Sequence, residues 1–333
     1  MLNFYLNMVK ISIIGDGGWG TALAVLMRSK GPDNVLWSYS SEYASFLRGT
    51  RENVKFLKGI ELPPGITITS DDDEAKDAEL AIFAVPCKYL DTVAERFRDA
   101  RFKYVVSATK GIENVSLRRP SEILKKYFSA STIGVLSGPT ISYEVARGYP
   151  TAAVLAAPGA WKKSVQAVLS TESFRVYASE DVIGVEIGGA LKNVIAIAAG
   201  ISDGMGFGAN TKAGLLTRGL AEITRLGVKM GAKADTFRGL SGIGDLATTC
   251  MSSHSRNRWF GEEIGKGRGI EEVLAETEMV VEGVGTCRSA AELARKYSVE
   301  MPITRAINEI VCEGKDPRVA VKELMSRDLK DED

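Results

Sequence analysis

The chain has 333 residues, which exceeds one typical hydrophobic core and predicts two domains. Its 42 Lys and Arg residues equal its 42 Asp and Glu residues, so no net charge draws the whole molecule onto nucleic acid or an anionic membrane. Four cysteines lack both CxxC spacing and a partnering histidine, which predicts reduced thiols and no metal site: Cys87, Cys250, Cys287 and Cys312.

The first predicted strand directly follows Met8, which begins the segment MVKISIIGDGG. Residues 1–7 are therefore expected to be a start-site extension, to which we assign no function. Their apolar part is too short for a secretory signal, and no stretch of the chain is expected to be long and apolar enough to span a bilayer. These expectations together predict a cytoplasmic protein.

Short β-rich runs alternate with helical segments through the first half of the chain, which predicts an α/β domain with a parallel sheet covered on both faces. The predicted strands are KISIIG, NVLWSYS, ELAIFAVP, YVVSATKG, STIGVLSG and TAAVLAAP. From about Glu186 onward, apolar residues recur at intervals of three and four, which predicts helices. We therefore predict an α/β domain over residues 8–185 and an all-helical domain over residues 186–333.

The first predicted strand leads into a glycine-rich turn. Gly15, Gly17 and Gly20 form the frame GxGxxG between a strand and a helix. In this context, the glycines permit a tight turn, a close approach of the backbone to a pyrophosphate, and close packing of the helix. The helix N-terminus then offers free N–H groups to the phosphates. The segment predicts a Rossmann-like dinucleotide site, and the alternative is a glycine-rich turn without a ligand.

The end of the second predicted strand bears on the choice of dinucleotide. An acidic residue commonly lies there and holds the ribose 2′-hydroxyl. This chain has Tyr39, Ser40 and Ser41 instead. A carboxylate would repel a 2′-phosphate, so the lack of one predicts that NADPH is accepted at least as well as NADH. The alternative, which is compatible with this one, is that these residues only cap the next helix.

Longer motifs follow in order along nearly the whole chain. They are GDGGWGTALA, SATKGIE, LSGPTISYEVARGYPTA, ALKNVIAIAAGISDGMGFGANTKAGLLTRGLAE, GLSGIGDLATTCMSSHSRNRWFG and VVEGVGT. In these motifs the chain resembles the bacterial NAD(P)-dependent glycerol-3-phosphate dehydrogenases. The resemblance implies a Rossmann-like first domain and an all-helical second domain of the 6-phosphogluconate-dehydrogenase-like type. It also implies reduction of dihydroxyacetone phosphate to sn-glycerol 3-phosphate with NADPH or NADH, for phospholipid synthesis.

The same resemblance implies roles for individual residues. Lys192 of the segment ALKN would be the proton donor and acceptor, with Lys110 and Asp245 beside it. The implied substrate contacts are Lys110, Gly138, Thr140, Lys192, Asp245, Ser255, Arg256 and Asn257. The implied cofactor contacts, with the three motif glycines, are Gly15, Gly17, Gly18, Trp19, Gly20, Tyr39, Lys110, Ser142, Arg256, Val280 and Glu282. Tyr39 and Ser142 depart from the family pattern, in which a basic or imidazole side chain and an alanine are common.

Residue chemistry supports the lysine assignment independently. Reduction of a ketone by hydride needs a proton for the alkoxide, and His254 is the only histidine in the chain. If Lys110 and Lys192 converge, each cation disfavours the charge of the other, and a cation also stabilises the developing oxyanion. Lys192 is the only charged residue of the segment GGALKNVIAIAAG, so a buried position is expected rather than a solvated one.

The segment SHSRNRWFG is the candidate phosphate site. Arg256 offers a planar guanidinium that can bind two phosphate oxygens, and Asn257 can donate beside it. The alternative is a solvated basic turn. Asp245 either orients Lys192, binds a substrate hydroxyl or caps a helix. His254 is expected to be structural or peripheral.

Two other functions remain open from the sequence. A dehydrogenase with a helical second domain that acts on a 3-hydroxy acid or sugar acid would have to bind a carboxylate. A nucleotide-sensing regulatory module would bind the cofactor without hydride transfer, and it leaves the polar set of Lys110, Lys192, Asp245 and Arg256 unexplained. A homodimer formed through the helical domain is expected, without a nucleic-acid or membrane partner.

Overall fold

Eight strands form one sheet in the residues that the structure, a computed structural model, describes: 9–29, 34–329 and 331–332. The expected extension, residues 1–7, lies outside these ranges. The strands are β1 Ile11–Ile14, β2 Asn34–Trp37, β3 Ile66–Thr69, β4 Leu80–Phe83, β5 Tyr104–Ser107, β6 Thr132–Ser137, β7 Thr151–Ala156 and β8 Phe174–Ser179. Their order in the sheet is β3-β2-β1-β4-β5-β6-β7-β8. The predicted parallel sheet is confirmed except at one neighbouring pair, because β7 runs antiparallel to β6.

Helices pack on both faces of this sheet. They are α1 Gly18–Arg28, α2 Ser41–Thr50, α3 Asp72–Lys76, α4 Leu90–Arg96, α5 Pro120–Tyr127, α6 Ser142–Ala146 and α7 Lys162–Leu169. Alternate residues of one strand enter different cores, since side chains of a strand point to opposite faces. In β4, Ile82 joins the core that α1 covers, whereas Phe83 joins the core that α4 and α5 cover.

The second half of the described chain is helical. It contains α8 Val182–Gly204, α9 Ala209–Lys229, α10 Asp245–Met251, α11 Arg256–Gly265, α12 Ile270–Ala275, α13 Glu282–Lys296, α14 Pro302–Glu313 and α15 Pro317–Met325. The last strand ends at Ser179 and α8 begins at Val182. A domain boundary at residue 185 remains a prediction.

The helix α8 is the centre of this half, and α9, α10, α11 and α13 pack around it. The expectation that no stretch is apolar enough to span a bilayer is wrong for α8. Its 23 residues have a mean hydropathy of 1.6 over the most apolar window, but 89% of that window is buried inside the protein. The apolar character of α8 is therefore that of a core helix surrounded by other helices.

Glycines bring α8 and α11 into backbone contact. A Cβ atom added at Gly200 would lie 2.0 Å from the carbonyl oxygen of Arg258, and one added at Gly261 would lie 2.1 Å from that of Ile197. No larger residue fits these positions unless the helices separate. The contact fixes the N-terminus of α11, where the predicted phosphate site begins, against the middle of α8.

A buried carboxylate joins α8 to the sheet half. Glu186 accepts hydrogen bonds from Nη1 of Arg119 at 2.5 Å, from the backbone N–H of Ser121 at 2.7 Å and from its hydroxyl at 2.8 Å. Burial raises the pKa of Glu186, and the Arg119 guanidinium opposes that shift. This link holds the start of α8 against the start of α5.

Candidate active site

A cleft of about 740 Å³ lies where the sheet meets the helical half. On the sheet side, most of its residues lie just after the ends of β1, β2, β4 and β5. On the other side, they come from α8, α10, α11 and the segment before α13. Ligands of open α/β sheets bind at the carboxyl ends of the strands, so the location is that of a ligand site.

The glycine loop between β1 and α1 is shaped for a dinucleotide. Gly15 has φ +115°, and a Cβ atom there would lie 2.8 Å from Cγ1 of Val85. A Cβ atom at Gly20 would lie 1.8 Å from the Gly15 carbonyl oxygen. At Gly17, which precedes α1, no described atom lies within 4 Å of an added Cβ. The open space at this helix N-terminus, where no side chain in the described residues caps the helix, fits a pyrophosphate.

Two lysines and one carboxylate meet at the inner end of the cleft. Lys192 of α8 donates from Nζ to Oδ1 of Asp245 and, at 2.8 Å, to the hydroxyl of Thr249. Lys110, which follows β5, donates to Oδ2 of Asp245 at 2.7 Å and to the carbonyl oxygen of Gly138 at 2.9 Å. Lys192 is 7% exposed and Asp245 is 1% exposed. The carboxylate therefore holds both ammonium groups together.

The protonation of Lys192 is balanced near neutral pH. Burial lowers its pKa from 10.5 to about 7; Asp245 opposes this shift, and the Lys110 cation adds to it. A group with this pKa exists in both protonation states at physiological pH, which suits an acid in one direction of a reaction and a base in the other.

The start of α11 presents the guanidinium of Arg256 to the cleft. Arg256 is exposed, and its recorded hydrogen bond is a weak one to the hydroxyl of Thr277 at 3.4 Å. In the ranges that the structure covers, no carboxylate forms an ion pair with Arg256. Ser255 caps α11, accepting from the backbone N–H of Arg258 at 3.3 Å. The guanidinium fork of Arg256 is available for an anion.

Asn257 and Glu282 fix the neighbouring elements. The Asn257 amide donates to Oδ1 of Asn193 at 3.0 Å, and its oxygen accepts from the N–H of Gly283 at 2.9 Å. Among the described residues, the second N–H of this amide has no hydrogen-bond partner. Glu282 accepts from the backbone N–H of Cys87 at 3.2 Å. Burial raises the pKa of Glu282 to about 7, an increase that this hydrogen bond partly offsets.

The structure brings most of the predicted site residues together. Those that line the cleft are Gly15, Gly17, Gly18, Trp19, Tyr39, Lys110, Thr140, Lys192, Ser255, Arg256, Asn257, Val280 and Glu282. Four predicted residues are outside this lining set: Gly20, Gly138, Ser142 and Asp245. Asp245 and Gly138 still contact Lys110, and Ser142 begins α6. His254 is exposed, with its ring stacked on that of Tyr143 at 5.2 Å between centroids.

The cleft also contains residues that the sequence argument missed. Thr249 is one helical turn from Asp245, and that spacing of four could have found it. Asp16 is the other. Its carboxylate accepts from the hydroxyl of Ser38 at 2.6 Å, and Ser38 directly follows β2. The segment that follows β2 carries no acidic residue of its own, but the Asp16 carboxylate reaches Ser38 from the glycine loop.

No cysteine is among the residues that line the cleft. All four cysteines are free thiols. In the described part of the chain, no group of three or more His, Cys, Asp or Glu side chains is arranged to hold a metal ion.

The sheet, its glycine loop and the buried lysine pair have the architecture of a dinucleotide-dependent oxidoreductase. Two family models match the chain: the NAD-dependent glycerol-3-phosphate dehydrogenase N-terminus over residues 10–162 and the C-terminus of the same family over residues 181–322. The chain belongs to the NAD-dependent glycerol-3-phosphate dehydrogenase family.

Individual relatives agree with this assignment. A protein of Salinibacter ruber named glycerol-3-phosphate dehydrogenase (NAD(P)+) 2 is 48% identical over 97% of this chain and 96% of its own. The crystal structure of glycerol-3-phosphate dehydrogenase from Coxiella burnetii is 35% identical, covers 96% of this chain and 99% of its own, and has a TM-score of 0.92. A ketopantoate reductase from Ralstonia eutropha, 15% identical with a TM-score of 0.60 over 95% of this chain and 99% of its own, shares the fold.

Proposed function

We propose that the chain interconverts dihydroxyacetone phosphate and sn-glycerol 3-phosphate with NADH or NADPH, and so supplies glycerol 3-phosphate for phospholipid synthesis. The observation that carries this proposal is the buried cluster of Lys192, Asp245 and Lys110 at the end of a dinucleotide cleft. Such a cluster can supply a proton to a ketone oxygen, and the start of α11 can bind a phosphate beside it.

The cofactor, when bound, supplies or accepts the hydride. Gly15, Gly17 and Gly18 hold its pyrophosphate at the start of α1, where the helix N-terminus favours an anion. The remaining proposed cofactor contacts are Trp19, Gly20, Tyr39, Lys110, Ser142, Arg256, Val280 and Glu282. Of these, Gly20 acts through close packing of the helix on the loop.

Lys192 is the proposed proton donor to the substrate carbonyl oxygen during reduction and the proton acceptor in the reverse reaction. Asp245 and Thr249 orient its ammonium group. Lys110 is the proposed second cation, which stabilises negative charge that develops on the same oxygen. Thr140, whose hydroxyl lies 3.3 Å from Nζ of Lys110, and Gly138 complete the substrate side.

Arg256 is the proposed phosphate ligand, assisted by Ser255 and by the free N–H of Asn257. A bidentate contact from the guanidinium would give the phosphate a fixed orientation, and with it the carbonyl group relative to Lys192. The alternative reading as a solvated basic turn is less consistent with the position of Arg256 on the cleft wall.

A direct assay separates this function from the alternatives. Purified protein is mixed with NADH or NADPH, and nicotinamide absorbance is followed with dihydroxyacetone phosphate and, separately, with 2-keto and 3-keto acids that carry no phosphate. We expect turnover only with the phosphate. Turnover only with a keto acid would favour the acid dehydrogenase, and cofactor binding without turnover would favour the sensor module.

The remaining proposals concern the location, the oligomeric state and the domain boundary of the protein. We propose a cytoplasmic homodimer that contacts through its helical half, without nucleic-acid or membrane partners, and a domain boundary at residue 185. Sedimentation equilibrium tests the dimer directly, because a monomer mass across the accessible concentration range would contradict it.

A further inference from the structure

Hydrogen bonds join Asp16 of the glycine loop to the residue that follows β2 and to two other side chains. Its carboxylate accepts from the Ser38 hydroxyl at 2.6 Å, and its backbone carbonyl accepts from Nδ2 of Asn53 at 2.7 Å and from the hydroxyl of Thr21 at 3.1 Å. The residue also lines the cleft. A carboxylate is therefore fixed on the cleft wall beside the residue that directly follows β2.

This position has a known meaning in Rossmann-like folds. The group at the end of the second strand meets the adenosine ribose, where an acidic side chain accepts from the 2′-hydroxyl. A 2′-phosphate at the same place would bring a multiply charged anion against the carboxylate, which is an unfavourable like-charge contact. A charged Asp16 at this place would therefore distinguish the two nicotinamide cofactors.

Arg96 and Lys55 are cations near this end of β2, and each is already paired with a carboxylate. The Arg96 guanidinium lies over the rings of Trp37 and Tyr39, at 4.9 and 5.2 Å from their centroids, but it is paired with Asp72 at 2.8 Å. Lys55, whose charge acts on Asp16, is paired with Glu278 at 2.6 Å. Neither offers an unpaired charge to a 2′-phosphate, whereas an NADH ribose needs only a hydrogen-bond acceptor.

We infer that Asp16 makes this chain selective for NADH over NADPH, by accepting from the ribose 2′-hydroxyl and repelling a 2′-phosphate. The inference rests on the proposed dinucleotide function of the cleft. It reverses the expectation, drawn from Tyr39, Ser40 and Ser41, that NADPH is used at least as well as NADH.

Binding measurements on the intact protein test the inference without any substrate. The dissociation constants of NADH and NADPH are measured by nicotinamide fluorescence for the wild type and for Asp16→Asn, which keeps the size and the Ser38 hydrogen bond but removes the charge. Wild-type protein should bind NADH at least about tenfold more tightly, and Asp16→Asn should reduce that ratio about tenfold or more. Asp77→Asn, at an exposed carboxylate that pairs with Lys10 and is not part of the cleft lining, is the matched control and should keep the wild-type ratio.

A competition measurement keeps the test independent of the folding of any variant. Wild-type protein carrying NADH is titrated with ADP-ribose and with 2′-phospho-ADP-ribose, and the first should displace NADH at least about tenfold more effectively. Equal displacement, a wild-type preference for NADPH, or an unchanged ratio in Asp16→Asn would each overturn the inference. If the NADH preference is found but dihydroxyacetone phosphate is not reduced, the inference stands and the proposed function fails.

Discussion

Lys192 shows how the chain combines a charge with a buried position. Its neighbours on α8 are nearly all apolar, and an unpaired ammonium group at this depth would cost several kcal/mol. Asp245 and Thr249 supply the hydrogen bonds that make the position tolerable. Burial also lowers the pKa of Lys192 to about 7. The buried position that makes the ammonium group costly therefore also gives the residue its proposed role in proton transfer.

Replacing Lys192 by methionine removes the ammonium and keeps the length and apolar stem. We expect kcat for dihydroxyacetone phosphate reduction to fall at least ~10²-fold, the effect of losing a general acid, while NADH affinity changes little because the glycine loop sets it. Steady-state kinetics and nicotinamide fluorescence measure the two quantities. Lys322→Met, on the exposed face of α15, is the control. Near-normal kcat in Lys192→Met would remove the residue from the mechanism.

Arg256→Lys keeps the positive charge and loses the planar fork. If Arg256 binds the phosphate through two oxygens, KM for dihydroxyacetone phosphate should rise at least about tenfold, and kcat should fall by less. The same change at a solvated position would leave both constants within a factor of two or so. An unchanged KM would therefore return the segment SHSRNRWFG to the interpretation as a solvated turn.

At the residue scale, sequence and structure agree where a local pattern determines the environment. The apolar segment around Lys192 predicts its burial, and the structure has it 7% exposed. The contact between Asp16 and Ser38 could not be predicted in this way. It joins two loops whose separation in the sequence follows no fixed pattern. Only the parallel pairing of β1 with β2 brings the loops together.

At the element scale, the sequence prediction missed those features of the sheet that no local residue pattern marks. β3 and β8 are missing from the predicted strands. β8 alternates buried Phe174 and Val176 with exposed Arg175 and Tyr177, because it is an edge strand, so it lacks the continuous apolar run of the central strands. The reversed direction of β7 leaves no mark on composition, since β-propensity describes a side chain's fit to a pleated surface and not the direction of the strand.

The packing of α8 against α11 positions the proposed phosphate site. Gly261→Ala places a Cβ against the Ile197 carbonyl oxygen, and overpacking of this kind costs about 1–3 kcal/mol. We expect urea denaturation to show that loss of stability, and KM for dihydroxyacetone phosphate to rise as the start of α11 moves away. The displacement should leave NADH binding nearly unchanged.

Gly214→Ala is the matched control for that experiment. Gly214 is also inside a helix, α9, but it is exposed and no described atom lies within 4 Å of its added Cβ. Helix propensity alone then applies, and the variant should gain about 1 kcal/mol with unchanged kinetics. Equal effects of the two substitutions would contradict the close packing of α8 on α11.

At the scale of the whole molecule, the active site exists only where the two halves of the chain meet. Lys110 follows strand β5 of the sheet, whereas Lys192 and Asp245 belong to helices α8 and α10. Glu186 and Glu282 each accept hydrogen bonds from the sheet half, at Ser121 and Cys87 respectively. These links hold the halves in the position at which the charges of Lys110 and Asp245 act on Lys192.

That arrangement predicts that two substitutions shift the dependence of kcat on pH in opposite directions. Reduction needs protonated Lys192, so kcat should decline as the pH rises through its pKa of about 7. Lys110→Met removes a cation that lowers this pKa, so the decline should move to higher pH. Asp245→Asn removes an anion that raises the pKa, so the decline should move to lower pH. Both variants should also lose kcat, and profiles of kcat against pH at saturating substrate measure the shifts. A general disturbance of the cleft would lower kcat in both variants without opposite shifts, whereas shifts in the same direction would mean that the titrating group is not Lys192.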